Sequence, residues 1–313
     1  MNVLVTGATG FIGRHLLEAM KNDNVRLRLL TRRADAKFDL SSATIVHGDL
    51  SATASLEPAF ENLDVVVNLA AELRDGKNYE QTNIRGVVNV ARLAKQNNVR
   101  VVHLSSVGVT GMQYSAKRIV VDEQTPCAPK NEYERTKLRS EEILNEAFGE
   151  NSSQLVILRP TNVFGDAHPR EALLRFLQSV KNRKPLVCTK DAMVNYVYVK
   201  DLAQVIRHFT LGKSAGVFNV GQTMLFLDFL RASAKLLSVE PRCTVLPRLL
   251  FALPEALGHF GKSGLRANLR SLSNRVEYSD ARLLAAFPQA YPFGTLKGLE
   301  RTIEYYKSKG VLG

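Results

Sequence analysis

Between Val3 and Gly13 an apolar run passes without a break into glycines at positions 7, 10 and 13 and then into a helix-forming segment. Glycine lets a chain turn sharply and lets its backbone approach a pyrophosphate with no Cβ in the way. The free N–H groups at a helix start then favour the negative charge. The pattern predicts a strand, a phosphate-binding turn and a helix, with a dinucleotide held at the start of the chain.

The rest of the chain repeats that alternation. β-Rich runs at Asn2–Thr6, Val25–Leu30, Thr44–Val46, Val65–Leu69, Val99–Ser105 and Leu155–Leu158 alternate with helical stretches at Gly10–Lys21, Tyr79–Asn97, Glu132–Phe148 and Glu171–Asn182. Strands and helices in alternation predict an α/β fold, a Rossmann-like doubly wound parallel sheet. Past Gly165 the alternation weakens, and residues 195–211 and 217–220 read as a return to the sheet. The expected organisation is a cofactor domain over 1–165 with a return near 195–220. A smaller, interleaved substrate region over 166–194 and 221–313 completes it.

Composition excludes several other classes. The 313 residues can bury a large core. Three cysteines, Cys127, Cys188 and Cys243, are far apart in sequence with no CxxC spacing, which argues against a disulfide framework or a metal site. With a strand starting at Asn2 there is no room for a leader, and no apolar run is long enough to span a bilayer, so a cytoplasmic protein is expected. The net charge of +12 is scattered and has no nucleic-acid-binding motif, which suits anionic small molecules and not nucleic acid. One denser basic stretch, 246–270, is interrupted by Pro247, Pro254 and three glycines. These breaks favour a helical cap over a substrate pocket against a segment lying on a membrane surface.

Tyr133 and Lys137 are four residues apart on a predicted helix, hence on one face. A cation beside a phenol favours phenolate and draws the tyrosine toward proton exchange with a hydroxyl or carbonyl at neutral pH. Tyr196 with Lys200 and Tyr305 with Lys309 have the same spacing. Context favours Tyr133, because its helix follows the run Val99–Ser105, and parallel sheets bind ligands at such strand ends. Tyr196 lies in a strand-like alternation and Tyr305 on the terminal helix, so both read as packing residues.

Ser105, Ser106 and Gly111 followed by Tyr133 and Lys137 resemble the Ser, Tyr and Lys set of the extended short-chain dehydrogenase/reductases, the NAD-dependent epimerase/dehydratase family. Other segments agree in order: Gly48-Asp49-Leu50, Asn68 through Ala71, the helix opening with Asn83, Gly86 and Asn89, and Arg159-Pro160-Thr161-Asn162-Val163-Phe164-Gly165. The resemblance implies that Tyr133 is the general acid/base, that Lys137 binds the nicotinamide ribose and lowers the Tyr133 pKa, and that Ser106 contacts the reacting oxygen. It places the cofactor against Gly7, Thr9, Gly10, Phe11, Ile12 and Gly13 at the turn. Asp49 and Leu50 would lie at the adenine, and Ala70, Ala71, Pro160 and Val163 beside the rest of the molecule. Ser106, Thr110, Asn162, Arg170 and Tyr198 would meet the substrate, with Arg159 and Arg170 offering diphosphate contacts, and the resemblance also implies a homodimer.

After the second strand, where NAD enzymes place a carboxylate, this chain has Arg32 and Arg33, which can pair with a 2′-phosphate; NADP is favoured over NAD. Within the family the pattern is most like bacterial nucleotide-sugar epimerases and 4-keto-sugar reductases, which implies a nucleotide-sugar substrate. A reductase or dehydrogenase of an apolar alcohol or ketone is the alternative, for which the 246–260 segment would supply a greasy pocket.

Overall fold

The computed structural model describes residues 1–34, 38, 43–73, 76–112, 114–150, 152–168, 172–248 and 272–312. Seven parallel strands form the central sheet: β1 (Asn2–Thr6), β2 (Arg26–Thr31), β3 (Thr44–His47), β4 (Val65–Asn68), β5 (Arg100–Leu104), β7 (Leu155–Pro160) and β11 (Gly216–Val220). Their order is β11-β7-β5-β4-β1-β2-β3. The chain runs outward from β1 to β3, then returns to β4 on the other side of β1, so the order reverses between β1 and β4. A ligand crevice belongs at the carboxyl ends of those strands.

Alternation along each strand explains why both faces are covered. Val3, Val5, Leu27, Leu29, Val65 and Val67 are buried against helices α1 (Phe11–Ala19) and α6 (Val199–Leu211). Leu4, Leu30, Val66 and Val101 face α2 (Thr53–Phe60), α3 (Gly86–Gln96) and α4 (Glu132–Phe148). Truncating one such core leucine to alanine costs about 2–5 kcal/mol.

The expected strands and helices agree with the structure within a residue or two at most ends. The predicted helix Tyr79–Asn97 is not uniform: Glu80–Arg85 forms a wider π-helical turn that leads into α3. Within that turn Asn83 is buried, its Oδ1 accepting from Glu72 N at 2.8 Å and its amide donating to Thr136 Oγ1 at 3.1 Å.

Of the segment read as returning to the sheet, α6 and β11 pack on or pair with the main body, whereas β10 (Met193–Tyr198) does not. It pairs instead with β8 (Asn162–Phe164) and β12 (Gln222–Leu225) in a separate three-stranded sheet. Phe164 and Tyr198 from this sheet, α7 (Phe226–Leu236) and the final helix Gly294–Ser308 build a second core. The basic stretch predicted as a cap lies almost wholly outside the described residues, as does Arg170.

Candidate active site

The first turn has the shape its glycines predict. Gly7 adopts φ +70°, and Gly10 N donates to Gly7 O at 2.9 Å. A Cβ on Gly13 would sit 2.3 Å from Gly7 O, and one on Gly7 would sit 2.8 Å from Ala70 N, just past β4. The turn is therefore packed against the strand across the crevice, with no room for a larger residue. No side chain caps the start of α1 at Gly10, which leaves the N–H groups of the first turn for an anion. The Phe11 and Ile12 side chains pack into the protein, Phe11 edge-on to His168 at 4.7 Å, so these residues offer their backbone to the crevice. Thr9 is half-buried beside them. A pyrophosphate fits this cradle.

At the far end of the crevice Asp49 Oδ1 accepts from Ser51 N and Ser51 Oγ, both at 2.8 Å, and Oδ2 lies 3.6 Å from Arg32 Nη1. Burial pushes the Asp49 carboxyl up, but the Ser51 hydrogen bonds and the Arg32 charge outweigh it and hold it below its ordinary value. Arg32 and Arg33 are both exposed, and Arg33 N donates to Thr31 Oγ1 at 3.1 Å. Leu50 is buried, and its carbonyl accepts from the Asn89 amide at 2.8 Å, tying the Gly48–Leu50 segment to α3.

Of the proton-exchanging candidates, Lys137 reaches the end of β5, where Ser106 follows. Tyr133 and Lys137 share one face of α4, a helix capped by Asn131, whose side chain accepts from Glu134 N at 2.9 Å. Tyr133 is half-buried, its ring centroid 6.2 Å from that of Tyr79. Lys137 is 2% exposed, and its Nζ donates to Leu104 O at 2.6 Å. Burial lowers its pKa to about 8, with Glu141 opposing the shift.

The two serines divide. Ser105 is buried and donates to Glu141 Oε1, whereas Ser106 is half-buried at the strand end, its Oγ accepting from Gly108 N at 3.1 Å. The Ser106 hydroxyl still has its own proton to give.

Three expectations need correction. Thr110 is buried at 1% exposure, and its hydroxyl donates to Val107 O at 2.9 Å, so it faces the interior and not a substrate. Tyr198 is likewise 1% exposed, wedged against Gly298 and against the rings of Phe164 and Phe293 in the second core. Arg159, expected to offer a diphosphate contact, is locked in a buried ion pair, with Nη2 donating to Glu141 Oε2 at 2.6 Å and Nε to Oε1 at 3.0 Å. A positive charge taken out of water needs such a partner, and Glu141 supplies it.

Of the other candidates, Asn162 is exposed with its amide donating to Asn195 O at 3.1 Å, Val163 is half-buried and Pro160 is buried at the end of β7. Ala70 and Ala71 are half-buried just past β4. Tyr196 stacks on Phe229, and burial pushes its hydroxyl up to about 12; Tyr305 carries the Lys309 ammonium 5.7 Å from its ring centroid. The three Tyr-to-Lys spacings thus occupy three different environments, and only that of Tyr133 has its lysine on the end of β5.

Two buried groups escaped the sequence reading. Glu141, one turn beyond Lys137, joins α4 to β5 through Ser105 and to β7 through Arg159. His103, fully buried on β5, has Nδ1 3.1 Å from the Asn68 amide, and Asn68 Oδ1 accepts from Thr6 Oγ1 at 2.7 Å. The strand period at 103 and the helix period at 141 mark both as interior, but only the fold shows what polar partners they find.

A profile of the NAD dependent epimerase/dehydratase family matches residues 3–221. The chain belongs to this family. It is an enzyme of the extended short-chain dehydrogenase type. It is 30% identical over 226 residues to N-acetyl-alpha-D-glucosaminyl-diphospho-ditrans,octacis-undecaprenol 4-epimerase of Escherichia coli O157:H7, a match that covers 69% of this chain and 65% of that protein. The ceramide reductase of Caulobacter vibrioides is 23% identical over 99% of this chain and 96% of its own. Among solved structures, the Bordetella bronchiseptica enzyme WbmG in complex with NAD and UDP has the same fold. Its TM-score is 0.74 at 18% identity, with 99% of this chain and 94% of that one covered. Among the described residues no helix is long and apolar enough to cross a membrane, and no group of three metal-ligating side chains occurs.

Proposed function

We propose that this enzyme acts by hydride transfer at a carbon of a nucleoside-diphosphate sugar, either inverting C4 or reducing a 4-keto group. The bound nicotinamide supplies the hydride acceptor or donor. Tyr133 gives its proton to the substrate oxygen during reduction and, as phenolate, takes one from the hydroxyl during oxidation. Lys137 holds the nicotinamide ribose and favours that phenolate, and Ser106 donates to the reacting oxygen. The observation that supports this reading is the Lys137 ammonium on the Leu104 carbonyl, two residues before Ser106, on the same helix face as Tyr133. The undecaprenol-linked relative supports C4 inversion of a diphosphate-linked sugar, and the UDP-containing WbmG structure supports the nucleotide.

UDP, GDP or dTDP should raise the melting temperature of the cofactor-loaded enzyme. The likeness to ceramide reductase along nearly the whole chain favours a second reading, reduction of an apolar ketone or oxidation of an apolar alcohol. In that case all three nucleotides leave the melting temperature unmoved.

The cofactor preference belongs to the same proposal. With Arg32 and Arg33 exposed directly beyond β2, where NAD enzymes place a carboxylate, NADP is favoured over NAD. Replacing both arginines by alanine should weaken NADP far more than NAD; equal losses would refute the preference. Residues 1–165 with 195–220 would carry the cofactor, and 166–194 with 221–313 the substrate. The enzyme would work in the cytoplasm as a homodimer through α3 and α4.

A further inference from the structure

Three residues singled out in the sequence for other reasons, Tyr198, Lys200 and Tyr305, converge away from the nucleotide crevice. Lys200, at the start of α6, and Tyr305, on the final helix, line an open cavity of about 440 Å³ together with Asp166, Lys297, Arg301 and Glu304. None of these six belongs to the turn, the strand ends or the α4 face described above.

The charges in this cavity are not all neutralised by one another. Lys200 lies 3.6 Å from Asp166, and Lys297 donates to Glu300 at 2.6 Å. Arg301 has no carboxylate within 4 Å among the described residues; its guanidinium lies over the Phe293 ring, 4.6 Å from the centroid. A guanidinium over an aromatic ring, with no carboxylate to neutralise it, is prepared to take the oxygens of a phosphate.

One further polar atom borders the cavity. Asp166 Oδ1 is buried with no hydrogen-bond partner, while the buried Tyr198 hydroxyl lies beside Arg301. Native interiors seldom leave such an atom unpaired, which marks a place able to receive a polar ligand.

We propose that this cavity is a binding site for a phosphorylated polyol, with Arg301 and Lys200 on the phosphate and Asp166 on the hydroxyls. Cations alone would suit any anion. The carboxylates of Asp166 and Glu304 repel a bare phosphate but accept hydrogen bonds from hydroxyl groups, and the Tyr305 ring offers an apolar face for a carbon skeleton. The volume lies in the range of small-molecule sites. The cavity adjoins Asp166, two residues beyond β8, so a ligand here would touch the loop that follows the Asn162–Phe164 strand.

The test is calorimetric titration of the full chain, saturated with NAD and UDP so that the crevice is blocked, with glucose 6-phosphate, inorganic phosphate and glucose as separate probes. Glucose 6-phosphate should bind more tightly than either of the other two. Arg301→Ala should weaken it by about tenfold or more, the worth of one charge-assisted fork, and leave NAD affinity unchanged. Asp166→Asn should weaken glucose 6-phosphate while strengthening inorganic phosphate, because the lost carboxylate both accepted hydroxyls and repelled the anion. No binding of glucose 6-phosphate, or equal binding by the Arg301→Ala chain, overturns the site. Equal affinity for phosphate and glucose 6-phosphate overturns the polyol half of the assignment. Should Asp166→Asn fail to fold, Glu304→Gln on the exposed face gives the same contrast.

Discussion

The Lys137 ammonium lies 2.6 Å from the main-chain carbonyl of Leu104, the last residue of β5 and two before Ser106. That contact brings the cation to the strand end, and burial makes holding it there costly. The folded pKa of about 8 lies below the ordinary 10.5, so the penalty is fully present at neutral pH and fades as pH rises from about 8 through 10.5. Lys137→Met should therefore melt higher than wild type at pH 7, by on the order of 1–3 kcal/mol. The gap should close in alkaline buffer, and cofactor affinity should fall. Calorimetric melting across that pH range checks it; a Met variant less stable than wild type at neutral pH would contradict the account.

Glu141 and Arg159 are buried together, their side chains 3% and 7% exposed. Removing one partner strands a charge, so Glu141→Leu should cost about 3–5 kcal/mol in urea unfolding. Adding Arg159→Met to that variant should restore most of the loss. Additive losses in the double variant would show that the pair is not the unit described.

Tyr198 stands in the second core with its buried hydroxyl beside Arg301, and a Cβ on Gly298 would lie 2.5 Å from its Cγ. Tyr198→Phe should leave stability unchanged or raise it by about 1 kcal/mol, with turnover unaffected. Gly298→Ala should destabilise sharply. A Tyr198→Phe chain that folds normally but loses substrate affinity would reinstate Tyr198 at the substrate.

His103 has its pKa held well below 6.5 by complete burial, with the Lys137 charge adding to the effect. The unfolded chain takes up a proton near 6.5 while the folded chain does not, so this residue contributes stability above 6.5 that drains away as pH falls through and below it. His103→Gln should flatten the acid side of the stability profile, read by urea unfolding between pH 7 and 4. An unchanged slope would show that His103 titrates freely.

Much of this was legible from residue order. The β-rich runs located every strand of the main sheet except β11's full length, because most of those strands are buried on both faces and read as near-continuous apolar runs. The three-residue strands β8, β9 (Leu186–Cys188) and β13 (Cys243–Val245) are too short to carry a period. The glycine turn was readable because its geometry excludes other residues. Tyr198, Thr110 and Arg159 were misplaced because a motif gives a position along the chain and not the direction of a side chain. Whether an arginine faces a ligand or a carboxylate depends on Glu141, eighteen residues upstream and visible as a partner only after folding.

The most direct test compares Tyr133→Phe with wild type, using whichever nucleotide sugar raises the melting temperature most. Absorbance of the reduced nicotinamide and inversion at the sugar carbon would be followed together. Loss of turnover by at least about a thousandfold, with cofactor affinity within about twofold of wild type, is the predicted result. A Tyr133→Phe enzyme that turns over normally would contradict the central claim.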